Sequence, residues 1–138
     1  MFVVDLSIEN WVGNKDEGDL IENPNWQQIE AAIGQLDGKT RTLVTLGVDE
    51  DTYMSIGGGE DGKYIVTATF DNVEFYNSVD GDRSSGVEKR VVGGQLGTFP
   101  AKICVGLQTA LLAAKTFAES GGLEGTIAWE NSESLVAV

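Results

Sequence analysis

The chain has no histidine and one cysteine in 138 residues, and only nine basic residues stand against 22 acidic ones. Each shortage excludes a class of chemistry. Without histidine there is no Ser-His or Cys-His nucleophile pair, no ordinary zinc site and no imidazole general base. Any enzyme built on this chain has to work with carboxylates or lysine. With Cys104 as the sole thiol, no internal disulfide is possible. Its neighbours Ile103 and Val105 mark it as a small packed apolar residue rather than a reactive one. No apolar run is long enough to span a membrane, and Met1-Phe2-Val3-Val4-Asp5 lacks the basic start and apolar stretch of a signal peptide. A soluble, cytoplasmic protein is therefore expected.

What is abundant is negative charge. The formal net charge is −13 and the sequence pI is near 4.1. Such a surface repels nucleic acid and anionic membranes and speeds encounter with basic partners. The plainer reading is solubility. The length fits one domain over residues 1–138, long enough to bury roughly two thirds of its unfolded surface without a disulfide or metal.

Val91 to Gly121 organises the chain. In it Leu107, Ala110, Leu111, Ala114, Phe117 and Ala118 share one helical stripe. Gly106 is a second-rate N-cap, and Gly121 is suited to a left-handed helix end. An earlier helix is expected to open at Asn23-Pro24, with Trp26, Ile29, Ala32, Ile33 and Leu36 inward, a weakening Gly34 inside and Asp37-Gly38 at its close. Strands are expected at 1–8 (Phe2, Val4 and Leu6 on one side), 41–48, 52–56, 63–70, 73–79, 87–92 and 126–130, with 9–22 a loop and Asp71-Asn72 a two-residue turn. The order strand, helix, five strands, helix, strand, joined by tight turns, implies an α+β fold. Its sheet is mostly antiparallel, with the two helices packed on one face.

The glycine-rich stretches 57–59 and 93–97 lack the Lys-Ser/Thr of a phosphate loop and do not run into a helix. Turns with positive φ explain them better. The stretch 80–86 begins like a calcium loop but has Ser85 at its sixth position and Val91 at its twelfth, so no metal site and no cofactor are expected. Acids gather in turns: Asp49, Glu50 and Asp51; Glu60 and Asp61; Asp80 and Asp82. In a meander the 49–51 and 71–72 turns share one end of the sheet, and 60–61 and 80–82 the other. These carboxylates either sit solvated in their turns or form a patch for a basic partner.

The succession NPNWQQIEAAIGQLDG, a GGG hairpin before a Tyr-containing strand, VGGQLGTFPAK, ALLAAKTFAESGGL and IAWE resembles a bacterial immunity-protein family. It is the first numbered family among the immunity proteins of polymorphic toxin systems. The resemblance runs from about Asn23 to Glu130 and is carried by Trp26, Ile29, Gly57, Gly58, Gly93, Gly94, Gln95, Pro100, Ala110, Phe117 and Trp129. Gly106 departs from the more polar helix cap such proteins often have. The resemblance implies a non-catalytic protein that binds and neutralises a toxin, often a nucleic-acid deaminase. The motif residues are expected to be structural. The acidic turns are the candidate contacts for a toxin domain that is basic because it grips a polyanion. Direct nucleic-acid and membrane binding are not expected, and the chain is taken as a monomer or weak homodimer. Two alternatives stand beside this: an acidic regulatory or chaperone-like module, and a small enzyme with paired carboxylates in a glycine-lined cleft.

Overall fold

A computed structural model describes residues 1–79 and 86–131. Strand β1 (Asp5–Ile8) is followed by a small hairpin, β2 (Trp11–Val12) and β3 (Lys15–Asp16), and by β4 (Asp19–Glu22). Helix α1 (Trp26–Gly34) leads to β5 (Leu43–Gly47), β6 (Tyr53–Gly58), β7 (Tyr64–Thr69) and β8 (Phe75–Val79). A second hairpin, β9 (Val87–Val92) and β10 (Gln95–Pro100), precedes β11 (Cys104–Val105), α2 (Leu107–Ser120) and β12 (Ala128–Asn131).

The main sheet runs β12-β8-β7-β6-β5-β1-β4, with β11 also on β7, and every pairing in it is antiparallel. Both helices lie on one face, as expected. Ile29 and Ile33 of α1 and Ala110, Ala114 and Phe117 of α2 share a core with Leu6, Val44, Leu46, Met54, Ile56, Val66 and Ala68. The alanines of α2 let the helix sit close to the strands beneath it. Phe117 closes the core at one end between Phe2 and Phe70, at ring-centroid distances of 6.3 and 6.2 Å.

Helix α2 follows its sequence pattern closely. Gly106 caps it without a side-chain bond, and Gly121 ends it at φ 75°. Helix α1 starts two residues later than Asn23-Pro24 suggests. Asn25 is the cap, because its side chain accepts from the Gln28 N–H while Gln28 Oε1 accepts from the Asn25 N–H. That reciprocal pair satisfies two helix-end donors at once, which Asn23 cannot do. Gly34 is thus the last helical residue rather than an interior one.

Other expectations need correcting. Val3 and Leu6 are buried at the start of the chain, whereas Val4 is exposed, because Phe2 and Val3 bond through their N–H groups to the Ala118 carbonyl before the strand proper begins. The 9–22 segment is not all loop: β4 pairs with β1 along its length. The Asp71-Asn72 turn is longer than two residues, since β8 begins only at Phe75. Finally, β9 does not extend the meander. Among the described residues it pairs with β10 alone, through a turn whose Gly93 and Gly94 have φ 63° and 77°.

Candidate functional site

The β9–β10 hairpin folds over the sheet face opposite the helices, and the glycines of the sequence pattern explain how. A Cβ at Gly57 on β6 would stand 2.5 Å from Val92 Cγ1, so the hairpin rests directly on that backbone. At its tip, a Cβ on Gly94 would stand 2.6 Å from the Trp11 ring. The Gly94 N–H donates to Thr42 Oγ1 at 2.8 Å, the Thr42 hydroxyl donates to Glu9 Oε1 at 2.6 Å, and the Trp11 indole N–H donates to the same oxygen at 2.8 Å. Gly58, at φ 90°, donates to the Thr42 carbonyl. Beneath the hairpin a second small core forms from Ile65, Ile103 and Cys104 with Val79, Val92 and Phe99. Cys104 is fully buried there.

Two other pattern residues, Trp26 and Trp129, pack against the main core. Lys115 Nζ lies 5.8 Å from the Trp26 ring centroid. Trp129 packs from β12, and its indole donates to the Glu124 carbonyl at 3.0 Å. Pro100 ends β10, and Gln95 begins it, exposed, opposite Val92. Glu124 ties the loop after α2 to that helix. It accepts from the Thr116 hydroxyl and from the hydroxyl and N–H of Thr126, which together hold its pKa down at about 2.

Charge separates along the strands. The β5–β6 and β7–β8 turns meet at one end of the sheet, where the Tyr53 hydroxyl donates to Asn72 Oδ1 at 2.7 Å and the Thr52 hydroxyl to the Phe70 carbonyl at 3.3 Å. The register adds the ends of two more strands, since Asp5 lies opposite both Glu22 and Gly47. One rim therefore carries Glu22, Asp5, Asp49, Glu50, Asp51, Asp71 and Glu74, and no described lysine or arginine belongs to these turns and strand ends.

The rim carboxylates fall into two kinds. Asp49 Oδ1 accepts from the N–H groups of Asp51 and Thr52, so it builds its turn. Asp71 does the same through Glu74 and Val73, and those N–H donors hold its carboxyl below the usual range. Glu74 accepts from the Tyr76 hydroxyl, which raises the tyrosine's pKa. By contrast, Glu22, Glu50 and Asp51 are exposed, and their carboxylates accept no hydrogen bond from a described residue.

Of the sequence-nominated acids, Asp49, Glu50 and Asp51 lie on this rim. Glu60 and Asp61 lie at the opposite end, in the β6–β7 connection beside Lys63. Asp80 and Asp82 lie outside the described residues. Asp5, Glu22, Asp71 and Glu74 were not nominated. Asp71 was legible from its turn, while Asp5 and Glu22 join the rim only through strand register. Among the described residues, no three Cys, Asp or Glu side chains group to hold a metal ion, and no helix is long and apolar enough to cross a membrane.

Residues 17–131 match the family described as Immunity protein Imm1, and the chain belongs to that family. No curated protein and no solved structure matches it. Membership makes it an immunity protein whose partner is a cognate toxin, a role that suggests binding rather than catalysis.

Proposed function

We propose that this chain neutralises a toxin domain that acts on nucleic acid, a deaminase being the leading class, by laying its acidic rim over the toxin's basic active-site face. The observation that carries this reading is the unopposed charge of the rim. A domain that grips phosphates presents lysine and arginine around its active site. An acidic rim then steers the encounter and competes with the polyanion for the same surface. Glu50 and Asp51, with Glu22 two strands along the rim on β4, are the free carboxylates best placed for this. Asp49 and Asp71 set the shape of the turns that present them. Inhibition is stoichiometric and needs no cofactor, and the protein works as a single domain in the cytoplasm, where the toxin's substrate is.

The test uses the C-terminal toxin domain of whatever large exported protein is encoded beside this chain's gene. Nucleic-acid modification by that domain is assayed with increasing amounts of this chain. Loss of activity at one equivalent, relieved by raising salt, is the expected result. Inhibition that is insensitive to salt removes the acidic rim from the mechanism.

A further inference from the structure

The sheet face away from the helices is only partly covered. The β9–β10 hairpin lies over Gly57 and the Ile65 cluster. One register level nearer the acidic rim, five adjacent strands place Ser7, Thr45, Ser55, Thr67 and Asn77 side by side on this face. Ser7 is exposed, Thr45, Ser55 and Thr67 are half-buried, and Asn77 is buried, donating to Thr67 Oγ1 at 2.8 Å. The next level toward the rim carries Asp5, Gly47, Tyr53, Thr69 and Phe75.

This row has an unusual composition for a chain with 31 charged residues in 138. None of these five side chains is charged, and none is longer than asparagine; the same level ends in Leu20 on β4 and, on β12, in Glu130, whose charge is paired with Lys102. The solvent face of an antiparallel sheet is polar, and about a quarter to a third of a typical protein surface is charged. The hydroxyls of Ser7, Thr45 and Ser55 bond to no described residue and remain available as donors and acceptors. Protein interfaces combine a charge-depleted centre with a polar or charged border. Here the uncharged row is bordered on one side by the rim acids and on the other by the hairpin.

We infer that this row is the centre of the footprint on which the toxin domain docks, with the β9–β10 hairpin as a wall and the acidic rim as the border that receives cationic side chains. The occupant is a lysine- and arginine-bearing protein surface lying flat on the sheet. Short side chains allow it to approach the β5, β6 and β7 backbone closely. Its cations reach past Tyr53 to Asp5, Glu50 and Asp51. The inference rests on the immunity reading and names the face through which that reading operates.

Two substitutions on neighbouring strands test it, Ser55→Trp and Thr45→Lys, with Glu30→Lys on the exposed side of α1 as the control. Binding to an inactivated form of the neighbouring toxin domain is measured by calorimetry, and folding by thermal melting. The row variants are expected to weaken binding by about 30-fold or more, as truncation or obstruction at an interface centre does, while the control stays within about threefold. Hydroxyl-radical footprinting of the unsubstituted complex reads the same face without any substitution, and Tyr53 and Phe75 are expected to be protected in it. Undiminished binding by folded row variants, or unchanged oxidation of Tyr53 and Phe75 in the complex, overturns the inference and leaves the immunity reading standing. Failure of the unsubstituted chain to bind overturns both.

Discussion

Reversing the free rim charges should slow toxin association without unfolding the protein. Asp49 is the wrong residue to reverse, because its carboxylate closes the β5–β6 turn. Glu22→Lys, Glu50→Lys and Asp51→Lys leave the carboxylate hydrogen bonds of Asp49, Asp71 and Glu74 intact. Together they change the local charge by about six units. At a separation of about 10 Å in water, each unit of charge is worth about 0.4 kcal/mol against one facing cation. The triple variant therefore loses about 2.5 kcal/mol of steering per facing cation without salt. Screening at about 0.1 M reduces this to about 0.9 kcal/mol. The association rate should fall about fivefold at that ionic strength and by up to about 70-fold at very low salt, with dissociation changing much less. Stopped-flow mixing with the neighbouring toxin domain across a salt series measures this. Equal association rates for the variant and the unsubstituted chain at low salt would refute the steering argument. A matching effect from Glu60→Lys and Asp61→Lys would place the partner at the other end of the sheet.

Other predictions concern the scaffold. Phe117→Ala empties the end of the main core and should cost about 3–5 kcal/mol in denaturant unfolding. Gly57→Ala forces a methyl against Val92 and should destabilise the fold by about 1–3 kcal/mol, loosening the β9–β10 hairpin. Thr42→Val strips the Gly94 N–H of its acceptor and Glu9 of a donor inside a buried contact, with a cost of about 1–3 kcal/mol. Glu124, lowered from 4.5 to about 2 in the folded protein, stabilises it fully above its unfolded value. That contribution should fade as pH falls below 4.5 and be gone below about 2. The melting difference between Glu124→Gln and the unsubstituted chain should therefore narrow across that range.

The sequence was most informative where one local rule decides the structure. In α2, the apolar stripe and Gly121 agree, so the helix was legible to the residue. The paired positive-φ glycines 93 and 94 likewise mark a tight turn. Legibility fell where a local signal pointed to the wrong residue. Asn23-Pro24 reads as a helix start, but the reciprocal bond between Asn25 and Gln28 sets the cap two residues later. It failed where the cause is remote. β4 is only four residues long, Asp-Leu-Ile-Glu, with many turn residues before it, and its strand character shows in its pairing with β1.

The site divides in the same way. Acidic turns are visible in sequence, and the meander rule correctly brought the 49–51 and 71–72 turns to one end. Asp5 and Glu22 could not be added, because their place on the rim depends on strand register. The uncharged row is harder still to see. Its members are spread over 70 positions and have in common only the level at which their strands pair.

The most direct test of the account is growth of cells co-expressing this chain with the toxin domain encoded beside it, followed by purification on the toxin's tag. The account predicts growth rescue, together with a one-to-one complex that survives gel filtration. A toxic neighbour that this chain neither rescues nor binds would contradict the pairing.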